Sequence, residues 1–347
     1  MYKITEVEGV KIKIPKDKNV SKKMPVFYNP IMKLNRDISV DILKTLECPR
    51  VCLPMEGTGL RGIRFKKEMQ CNLVMNDISK EAYKLMKANL KLNKIKDVKV
   101  FNKDANILLR ESEGFDYIDI DPFGNPSKFL DAAMQSLARK GILAVTATDT
   151  SALSGTFPKV CKRSYWARSY KTEFFNELGL RILIRKIQLI GTQYNKALIP
   201  LFSYSIHHYS RAFMKCEKSK IKCDEIIKQH KYLLYCKKCL HREISDFNNG
   251  ECCGEKMMAI GPLWAGKLKT TKLPYYRIDH IEEEIDTVGY YELHRVGHIY
   301  KTKTIKTEEA IFRLKKAKIK CSRTHFSGTG VKAETDIKNL VRIIQGS

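Results

Sequence analysis

Between Val51 and Thr150, short apolar runs alternate with segments whose apolar residues recur at helical spacing. Each run has the length of a strand and ends in polar or glycine residues. Strands that alternate with helices form parallel βαβ units, so the pattern predicts a doubly wound α/β sheet. The five predicted strands are 51–53, 73–75, 98–101, a run that ends at Asp119, and 141–147.

Beyond Gly155 the pattern predicts a different ending to the sheet. A helix is predicted over 171–179, followed by two strand-like runs, 181–192 and 197–209. Because no helix is predicted between these runs, they are expected to form an antiparallel hairpin that closes the sheet. An antiparallel last strand is more typical of methyltransferase sheets than of dehydrogenase sheets.

The fourth strand leads into residues 119–126, which read D-I-D-P-F-G-N-P. Open α/β sheets bind ligands in loops at the carboxyl ends of their strands, and this stretch falls at such an end. Pro122 and Pro126 stiffen the loop, so Asp121 is held still beside the flat face of Phe123. A rigid acid next to an aromatic ring suits a flat base that carries an amino group. The alternative is that the acid only caps the next helix.

A glycine-rich turn follows the first strand. Residues 57–62 read G-T-G-L-R-G, which matches G-x-G-x-x-G between a strand and a helix, and Asp77 ends the next strand. Such a turn lets the backbone approach a nucleotide-bearing ligand while the carboxylate binds ribose hydroxyls. The motif does not separate NAD from S-adenosylmethionine, since both carry adenosine, and a plain tight turn is a further alternative.

Two further features favour methyl transfer. Asp104 and Ala105 end the third strand, where an acid and a backbone N–H can frame an adenine edge. Asp121 ends the fourth strand, beside the expected place of a transferable methyl group. A dehydrogenase needs a proton-relaying His or Tyr there, and a net charge of +26 is unusual for an enzyme of small metabolites.

The chemistry of a purine amine explains why an aspartate is needed. The exocyclic amine is a weak nucleophile because its lone pair is delocalised into the ring. A carboxylate that accepts its N–H turns the lone pair towards a sulfonium methyl group and then takes the proton. Asp121 is therefore predicted to be catalytic, and Phe123 is available to stack on a base that has been flipped out of a duplex.

The charge of the chain indicates its partner. It carries 64 Lys and Arg against 38 Asp and Glu, an excess that points to a polyanion. Nucleic acid is favoured over a membrane because the basic residues are scattered and do not form one amphipathic helix. Lysine enrichment through genome composition or heat adaptation is the alternative. No apolar run approaches the roughly 20 residues of a spanning helix, and no signal-peptide core is found, so a cytoplasmic protein is expected.

The 347 residues are enough for two domains, and the composition changes near Met214. The first predicted domain, 1–212, combines the methyltransferase-like sheet with a basic N-terminal segment. The second, 213–347, is predicted to be a smaller α+β domain with a cysteine-rich segment at 216–254.

The cysteines of that segment suggest a metal site. The total of 11 Cys is odd, which indicates reduced thiols and not a disulfide framework. Two pairs, Cys236 with Cys239 and Cys252 with Cys253, have spacings related to those of structural zinc ligands. Two adjacent cysteines do not easily close one tetrahedral site without backbone strain. One alternative is that His241, Cys216 or Cys223 replaces one of them as a ligand, and another is that the cysteines are reduced thiols without metal.

Nine motifs in order along the chain resemble those of the tRNA (guanine-N2) dimethyltransferases, which modify guanosine 26 of tRNA with S-adenosylmethionine. They extend from the N-terminal segment to the tail. The motifs are Phe27-Tyr28-Asn29-Pro30, Asn35-Arg36-Asp37, Thr58-Gly59-Leu60-Arg61-Gly62-Ile63-Arg64, Asn76-Asp77-Ile78-Ser79, Asp119-Ile120-Asp121-Pro122-Phe123-Gly124, Thr146-Ala147-Thr148-Asp149-Thr150, Gly261-Pro262-Leu263-Trp264, Tyr290-Tyr291-Glu292-Leu293-His294 and Arg323-Thr324-His325-Phe326.

The resemblance implies a Rossmann-like methyltransferase sheet and a C-terminal domain that grips tRNA. It also implies that Asp121 meets the target amine and that five residues contact the cofactor. Of these five, both arginines would hold the methionine carboxylate. The five are Arg36, Arg61, Asp77, Asp104 and Ala105.

The chain departs from most methyltransferase sheets at Leu53, where those sheets carry an acid at the end of the first strand. Glu56 is a nearby acid that could compensate. In the tail, His325 is predicted to be structural, while a set of basic residues is predicted to contact phosphates or to form a solvated helix face. This set is Lys315, Lys316, Lys318, Lys320, Arg323 and Lys332.

Together these features predict S-adenosylmethionine-dependent transfer of one and then two methyl groups to the N2 atom of a guanosine in tRNA. No obligate protein partner is expected. Two alternatives stay open, an RNA-binding protein with an inactive methyltransferase domain and an NAD(P)-dependent oxidoreductase.

Overall fold

The structure is a computed structural model that describes residues 2–16, 24, 26–206, 208–271 and 278–346. Lys18, Lys22 and Lys23 of the basic N-terminal segment lie outside the described residues. The chain begins with an antiparallel hairpin of β1 (Tyr2–Val7) and β2 (Val10–Pro15). In β2 the apolar side chains that alternate with lysines are buried, which attaches the hairpin to the core.

In the part of the chain from Lys33 to Lys218, helices and strands alternate up to Ala147 as the apolar pattern predicts, and three helices then precede the last two strands. In chain order its elements are α1 (Lys33–Leu43), β3 (Arg50–Leu53), α2 (Leu60–Glu68), β4 (Asn72–Asn76), α3 (Lys80–Leu92), β5 (Val98–Phe101), α4 (Ala105–Glu111), β6 (Phe115–Ile120), α5 (Ser127–Ser136), β7 (Leu137–Ala147), α6 (Thr150–Leu153), α7 (Pro158–Tyr165), α8 (Phe175–Gln193), β8 (Lys196–Ile206) and β9 (Tyr209–Lys218).

All seven of these strands form one sheet, in the order β5-β4-β3-β6-β7-β9-β8. The five strands from β3 to β7 are parallel, while β9 runs antiparallel to both β7 and β8. The strand order reverses between β3 and β6, so their carboxyl ends lie side by side at a topological switch point, where such sheets bind ligands. The predicted doubly wound sheet with an antiparallel last strand is confirmed.

The predicted strand over 181–192 is wrong, because these residues belong to the 19-residue helix α8. Most of α8 is buried, including Leu180, Ile184 and Ile187. A helix that is apolar on nearly all sides has no clear period, so its sequence resembles a buried strand. The closing hairpin is instead formed by β8 and β9. No helix in the described part of the chain is long and apolar enough to cross a membrane.

The remainder of the chain forms small sheets and helices, as expected for a smaller α+β region. The elements are α9 (Lys220–Lys228), β10 (His230–Tyr235), β11 (Arg242–Ser245), β12 (Glu251–Cys252), β13 (Glu255–Lys256), β14 (Met258–Trp264), β15 (Tyr291–Glu292), α10 (Leu293–Tyr300), α11 (Thr307–Lys316), β16 (Cys321–Thr324), β17 (Ser327–Ala333) and α12 (Ile337–Gln345). Within the described residues, the sheets of this region have the orders β11-β10-β14, β12-β13 and β15-β17-β16. The predicted domain boundary at residue 212 falls inside β9, and the division into two domains stays a prediction.

A buried network of charged side chains joins α8 to this C-terminal region. Glu177 on α8 pairs with Arg181 at 2.8 Å and with Lys332 on β17 at 2.9 Å. Lys332 also lies 3.3 Å from Glu284, whose other oxygen is 2.6 Å from His325 Nδ1. The prediction that Lys332 contacts phosphate is therefore corrected, since its side chain is 1% exposed and neutralised inside the protein. His325 has a structural place in the same network.

We expect Glu177→Gln to lower the free energy of unfolding by about 3 to 5 kcal/mol, because the change leaves Arg181 and Lys332 buried without their shared carboxylate. Glu111→Gln is the matched control. It breaks an exposed ion pair with Lys103 and should cost about 1 kcal/mol or less. Urea unfolding of both variants measures the difference, and equal losses would contradict a role of the network in stability.

Candidate active site

A cavity of about 830 Å³ opens at the carboxyl ends of the parallel strands. Its volume is in the range of pockets that enclose a cofactor and a small substrate group. All the residues that the sequence predicts for catalysis and for cofactor binding lie on its wall. They are Arg36, Arg61, Asp77, Asp104, Ala105, Asp121 and Phe123.

The glycine turn lets α2 approach the sheet closely. Gly59 precedes α2 in the left-handed conformation, with φ of 86°. A Cβ atom added at Gly62 would lie 2.7 Å from the sulfur of Met75 on β4, so a larger residue would push α2 away from β4. The motif is thus required for packing, and it brings the start of α2 to the cavity.

Two acids at strand ends face the cavity from one side. Asp77 accepts the backbone N–H of Gly57 on one oxygen and that of Ser79 on the other, each at 2.9 Å. Burial raises the pKa of the Asp77 carboxyl, and these two N–H donors oppose the shift. Asp104 caps α4 by accepting the N–H of Asn106 at 2.8 Å. Both carboxylates are therefore fixed in position at the cavity wall.

The loop that carries Asp121 is tied to the end of β7. The Gly124 N–H donates to Thr148 Oγ1 at 2.6 Å, and the Thr148 N–H donates to the Gly124 carbonyl at 3.0 Å. The alternative that Asp121 caps the next helix is not supported, since α5 begins at Ser127 and Asn125 accepts the Ser127 N–H. Asp121 is thus available for the cavity.

Two aromatic rings stand at the same place. Phe123 is 46% exposed, and its ring meets that of Phe27 edge to face with centroids 4.5 Å apart. This edge-to-face contact braces the Phe123 ring while part of the ring stays exposed. A planar base could therefore contact the Phe123 ring while its amino group reaches Asp121.

A chain of ion pairs runs from the sheet interior to Asp121. Asp119 on β6 is buried, and Arg211 on β9 contacts each of its two oxygens at 2.7 Å. Arg61 reaches Asp119 with one nitrogen and Asp121 Oδ2 with the other, both at 2.5 Å. Burial alone would raise the pKa of Asp119, but Arg211 and Arg61 outweigh it and lower that pKa to about 2. The Asp119 carboxylate therefore stays charged and holds Arg61 in place.

The sequence interpretation missed both Asp119 and Arg211 as members of the site. Asp119 could have been found, because strand residues two apart share one face, so Asp119 and Asp121 point the same way as β6 ends. Arg211 had no local signal, since it lies 92 residues from its partner.

Arg36 is held by an acid that the sequence interpretation also missed. Its guanidinium lies 2.6 Å from Glu8, in the turn between β1 and β2, and Glu8 also pairs with Arg64 at 2.7 Å. A further nitrogen of Arg36 donates to the Asn29 carbonyl at 3.2 Å. Both arginines predicted to hold the methionine carboxylate are thus already oriented by carboxylates, and their cofactor roles stay predictions.

Glu56 supplies an acid near the end of β3, where Leu53 is part of the apolar core. Its carboxyl faces the cavity and accepts the Gly62 N–H at 3.0 Å. Burial raises the pKa of Glu56 to about 7, although Arg61 and the Gly62 N–H oppose the shift.

The four cysteines predicted as metal ligands come together away from the cavity. The sulfur atoms of Cys236, Cys239, Cys252 and Cys253 all lie within 4.8 Å of one another. A zinc ion with Zn–S bonds of about 2.3 Å needs sulfur atoms roughly 3.8 Å apart, so this donor set fits it. The positive φ of Cys253, 53°, lets the two adjacent cysteines face one point. His241, Cys216 and Cys223 are not members of the described cluster.

Comparison with known proteins gives matches over nearly the whole chain. A family model described as N2,N2-dimethylguanosine tRNA methyltransferase matches residues 8–275 and 276–345. A relative from Methanobrevibacter smithii, named tRNA (guanine(26)-N(2))-dimethyltransferase, is 36% identical across 99% of this chain and 98% of its own. A relative from Aquifex aeolicus, named tRNA (guanine(26)-N(2)/guanine(27)-N(2))-dimethyltransferase, is 38% identical across 96% and 94% of the two chains.

A solved structure is similar over the same length. Trm1 from Pyrococcus horikoshii in complex with S-adenosyl-L-methionine has 33% sequence identity and a TM-score of 0.89. The match covers 98% of this chain and 99% of that chain.

The raised pKa of the Glu56 carboxyl should make stability depend on pH. Its pKa is about 7 in the folded protein against 4.5 when exposed, so between these values the folded state holds a proton that the unfolded chain releases. Stability therefore falls as the pH rises. Between pH 5 and pH 8, without cofactor, we expect the free energy of unfolding of the wild type to fall by about 2 to 3 kcal/mol more than that of Glu56→Gln.

Urea unfolding at several pH values measures this difference. Glu47→Gln, at an exposed position, is the control and should follow the wild type. Parallel pH curves for wild type and Glu56→Gln would contradict the assignment of a raised pKa to this carboxyl.

Proposed function

Because the chain belongs to the N2,N2-dimethylguanosine tRNA methyltransferase family, we propose that it transfers one and then a second methyl group to the N2 atom of guanosine 26 in tRNA. The methyl donor is S-adenosylmethionine. The observation that carries this proposal is Asp121, held by Arg61 at the wall of the cavity that Asp77 and Asp104 also line. Family membership favours methyl transfer over an inactive RNA-binding protein and over an oxidoreductase.

The cavity wall offers groups that suit each part of the cofactor. Asp77 accepts ribose hydroxyls, and Asp104 with the Ala105 N–H frames the adenine edge. Arg36 and Arg61 lie on the wall as cations for the methionine carboxylate. Glu8 orients Arg36, and Asp119 orients Arg61, so little side-chain entropy is lost when a carboxylate binds. When bound, the cofactor supplies an electrophilic methyl group on a sulfonium.

Asp121 acts on the guanine amine. Arg61 contacts Oδ2 of Asp121, so Oδ1 is the oxygen placed to accept an N2–H of the base. Accepting that hydrogen turns the nitrogen lone pair towards the methyl group. As the new C–N bond forms, the bond between the methyl group and sulfur breaks, a neutral thioether leaves, and the carboxylate takes the proton. Phe123, braced by Phe27, stacks on the base and holds it in line for attack. The same groups serve the second transfer, since the monomethylated amine keeps one N–H.

The tRNA is attracted by the positive surface of the protein. Lys315, Lys316 and Lys318 are exposed near the end of α11 and contribute to a phosphate-binding surface in the C-terminal region. The protein acts in the cytoplasm and needs no obligate protein partner.

The four-cysteine cluster holds a structural zinc ion. Its donor set suits zinc, and the cluster joins the turn that follows β10 to the β12–β13 hairpin, two segments with little apolar core of their own. Nothing in the transfer reaction requires a Lewis acid.

We expect Asp121→Asn and Asp121→Ala to reduce methyl transfer by about 100-fold or more, because the amine loses its hydrogen-bond acceptor and proton acceptor. Binding of S-adenosylmethionine, measured by calorimetry, should stay within about threefold of the wild type. Mass spectrometry of nucleosides from treated tRNA measures the transfer. Asp116→Ala, at the opposite end of β6, is the control and should retain activity. Near-normal turnover in Asp121→Asn would remove Asp121 from the mechanism.

We expect the purified protein to contain about one zinc ion per chain by elemental analysis, and Cys239→Ser to lose most of it with a drop in Tm. Cys48→Ser replaces an exposed cysteine outside the cluster and should keep both zinc and Tm. A wild-type protein that neither contains zinc nor binds added zinc would disprove the metal site.

A further inference from the structure

The stretch 150–172 has a composition unlike the rest of the chain. It contains five Lys and Arg residues and no Asp or Glu. All five side chains are exposed, and within the described residues none of them pairs with a carboxylate. Two large aromatic side chains, Phe157 and Trp166, are exposed among them at 56% and 48%. We call this surface the α7 ridge; its cations are Lys159, Lys162, Arg163, Arg168 and Lys171.

Trp166 is held in an unusual way. It follows α7 in the left-handed conformation, with φ of 56° and ψ of 35°, a backbone state that bulky residues seldom adopt. Lys186 Nζ lies 2.8 Å from the centre of its ring, and Arg185 donates to its carbonyl at 3.2 Å. One ring face is thus covered by a buried cation, while about half of the side chain stays exposed to solvent. Packing in the core does not explain this arrangement.

The α7 ridge is attached next to the proposed active site. The Tyr165 hydroxyl donates to Asp149 at 2.5 Å, and the Ser127 hydroxyl donates to the Ser164 carbonyl at 3.2 Å. Asp149 follows Thr148, which lines the cavity and holds the loop of Asp121. Through Asp149 and Ser127, the α7 ridge is thus joined to two segments that border the cavity.

We propose that the α7 ridge is a docking surface for tRNA, in which Trp166 stacks on an unstacked nucleobase and the cations contact the neighbouring phosphates. This inference rests on the proposed function. A target guanine that leaves its stack exposes the faces of its neighbours, and an aromatic ring with one open face can cover one of them. Cations without carboxylate partners precede and follow Trp166 in the chain, and they match the phosphates that flank such a base. An anionic membrane would attract the cations of the α7 ridge, but it offers no flat base to stack on the fixed Trp166 ring.

The first test replaces the ring. Trp166→Ala should raise the Kd for an unmodified tRNA transcript about tenfold and raise the KM for tRNA by a similar factor. The kcat at saturating tRNA and the Kd for S-adenosylmethionine should stay within about twofold of the wild type. Trp166→Phe keeps a stacking ring and should recover most of the affinity. Leu92→Ala, which removes an apolar side chain that is 37% exposed at the end of α3, is the control and should bind like the wild type.

The second test changes the charge. Lys162→Glu with Arg163→Glu should raise the Kd for tRNA at least about tenfold and reduce the slope of log Kd against log salt concentration by about 1 to 2. Lys96→Glu with Lys99→Glu makes the same change in net charge at the opposite edge of the sheet, where β5 begins. This control should keep the wild-type salt slope.

The outcomes separate this inference from the proposed function. Suppose that the wild type methylates tRNA while both ridge variants bind tRNA like the wild type, or that the control variants weaken tRNA binding as much as the ridge variants do. Either result disproves the docking role of the α7 ridge and leaves the proposed function standing. Ridge variants that lose binding to phosphatidylserine vesicles but keep tRNA binding would also disprove the docking role of the α7 ridge for tRNA. If the wild type binds S-adenosylmethionine but leaves tRNA unmethylated, the proposed function is overturned instead.

Discussion

A carboxylate buried inside the sheet connects the parts of this protein that must keep their relative positions. Asp119 is enclosed on β6, and two guanidinium groups balance its charge, Arg211 from the antiparallel strand β9 and Arg61 from the start of α2. An unpaired ionised carboxylate there would cost several kcal/mol, so both partners are needed. The antiparallel ending of the sheet thereby fixes Arg61, and Arg61 in turn fixes Asp121 at the cavity.

Charges are divided unevenly between the interior and the surface. Glu177 and Glu284 are buried beside Arg181 and Lys332, and Asp119 is buried beside its arginines. These acids neutralise cations that hold the fold together and are not available at the surface. The chain carries 64 Lys and Arg against 38 Asp and Glu, and within the described residues Lys186 and Lys332 are the only buried lysines. The exposed basic residues attract a polyanion over a long range, while a different set of charged residues forms the buried ion pairs that stabilise the fold.

The proposed site is assembled by topology from short, stiff segments. The reversal of strand order between β3 and β6 opens a gap that the glycine turn and the loop of Asp121 border from opposite sides. Each segment is tied down locally, by Asp77 to Gly57 and by Thr148 to Gly124. Because these ties are short hydrogen bonds to backbone groups, the geometry of the proposed site depends on the rigid sheet and little on long flexible loops.

The sequence alone determined the doubly wound sheet and the places of Asp77 and Asp121, because strand periodicity and strand ends are local features. It could not determine that 181–192 is a helix, since an apolar run without a period is compatible with either structure. Only the tertiary structure decided that Glu8 orients Arg36, that Arg211 holds the Asp119 carboxylate with which Arg61 pairs, and that Lys332 is buried. Such partners lie far apart in the chain, and no local pattern encodes a contact that exists only once the sheet and its neighbours have packed together.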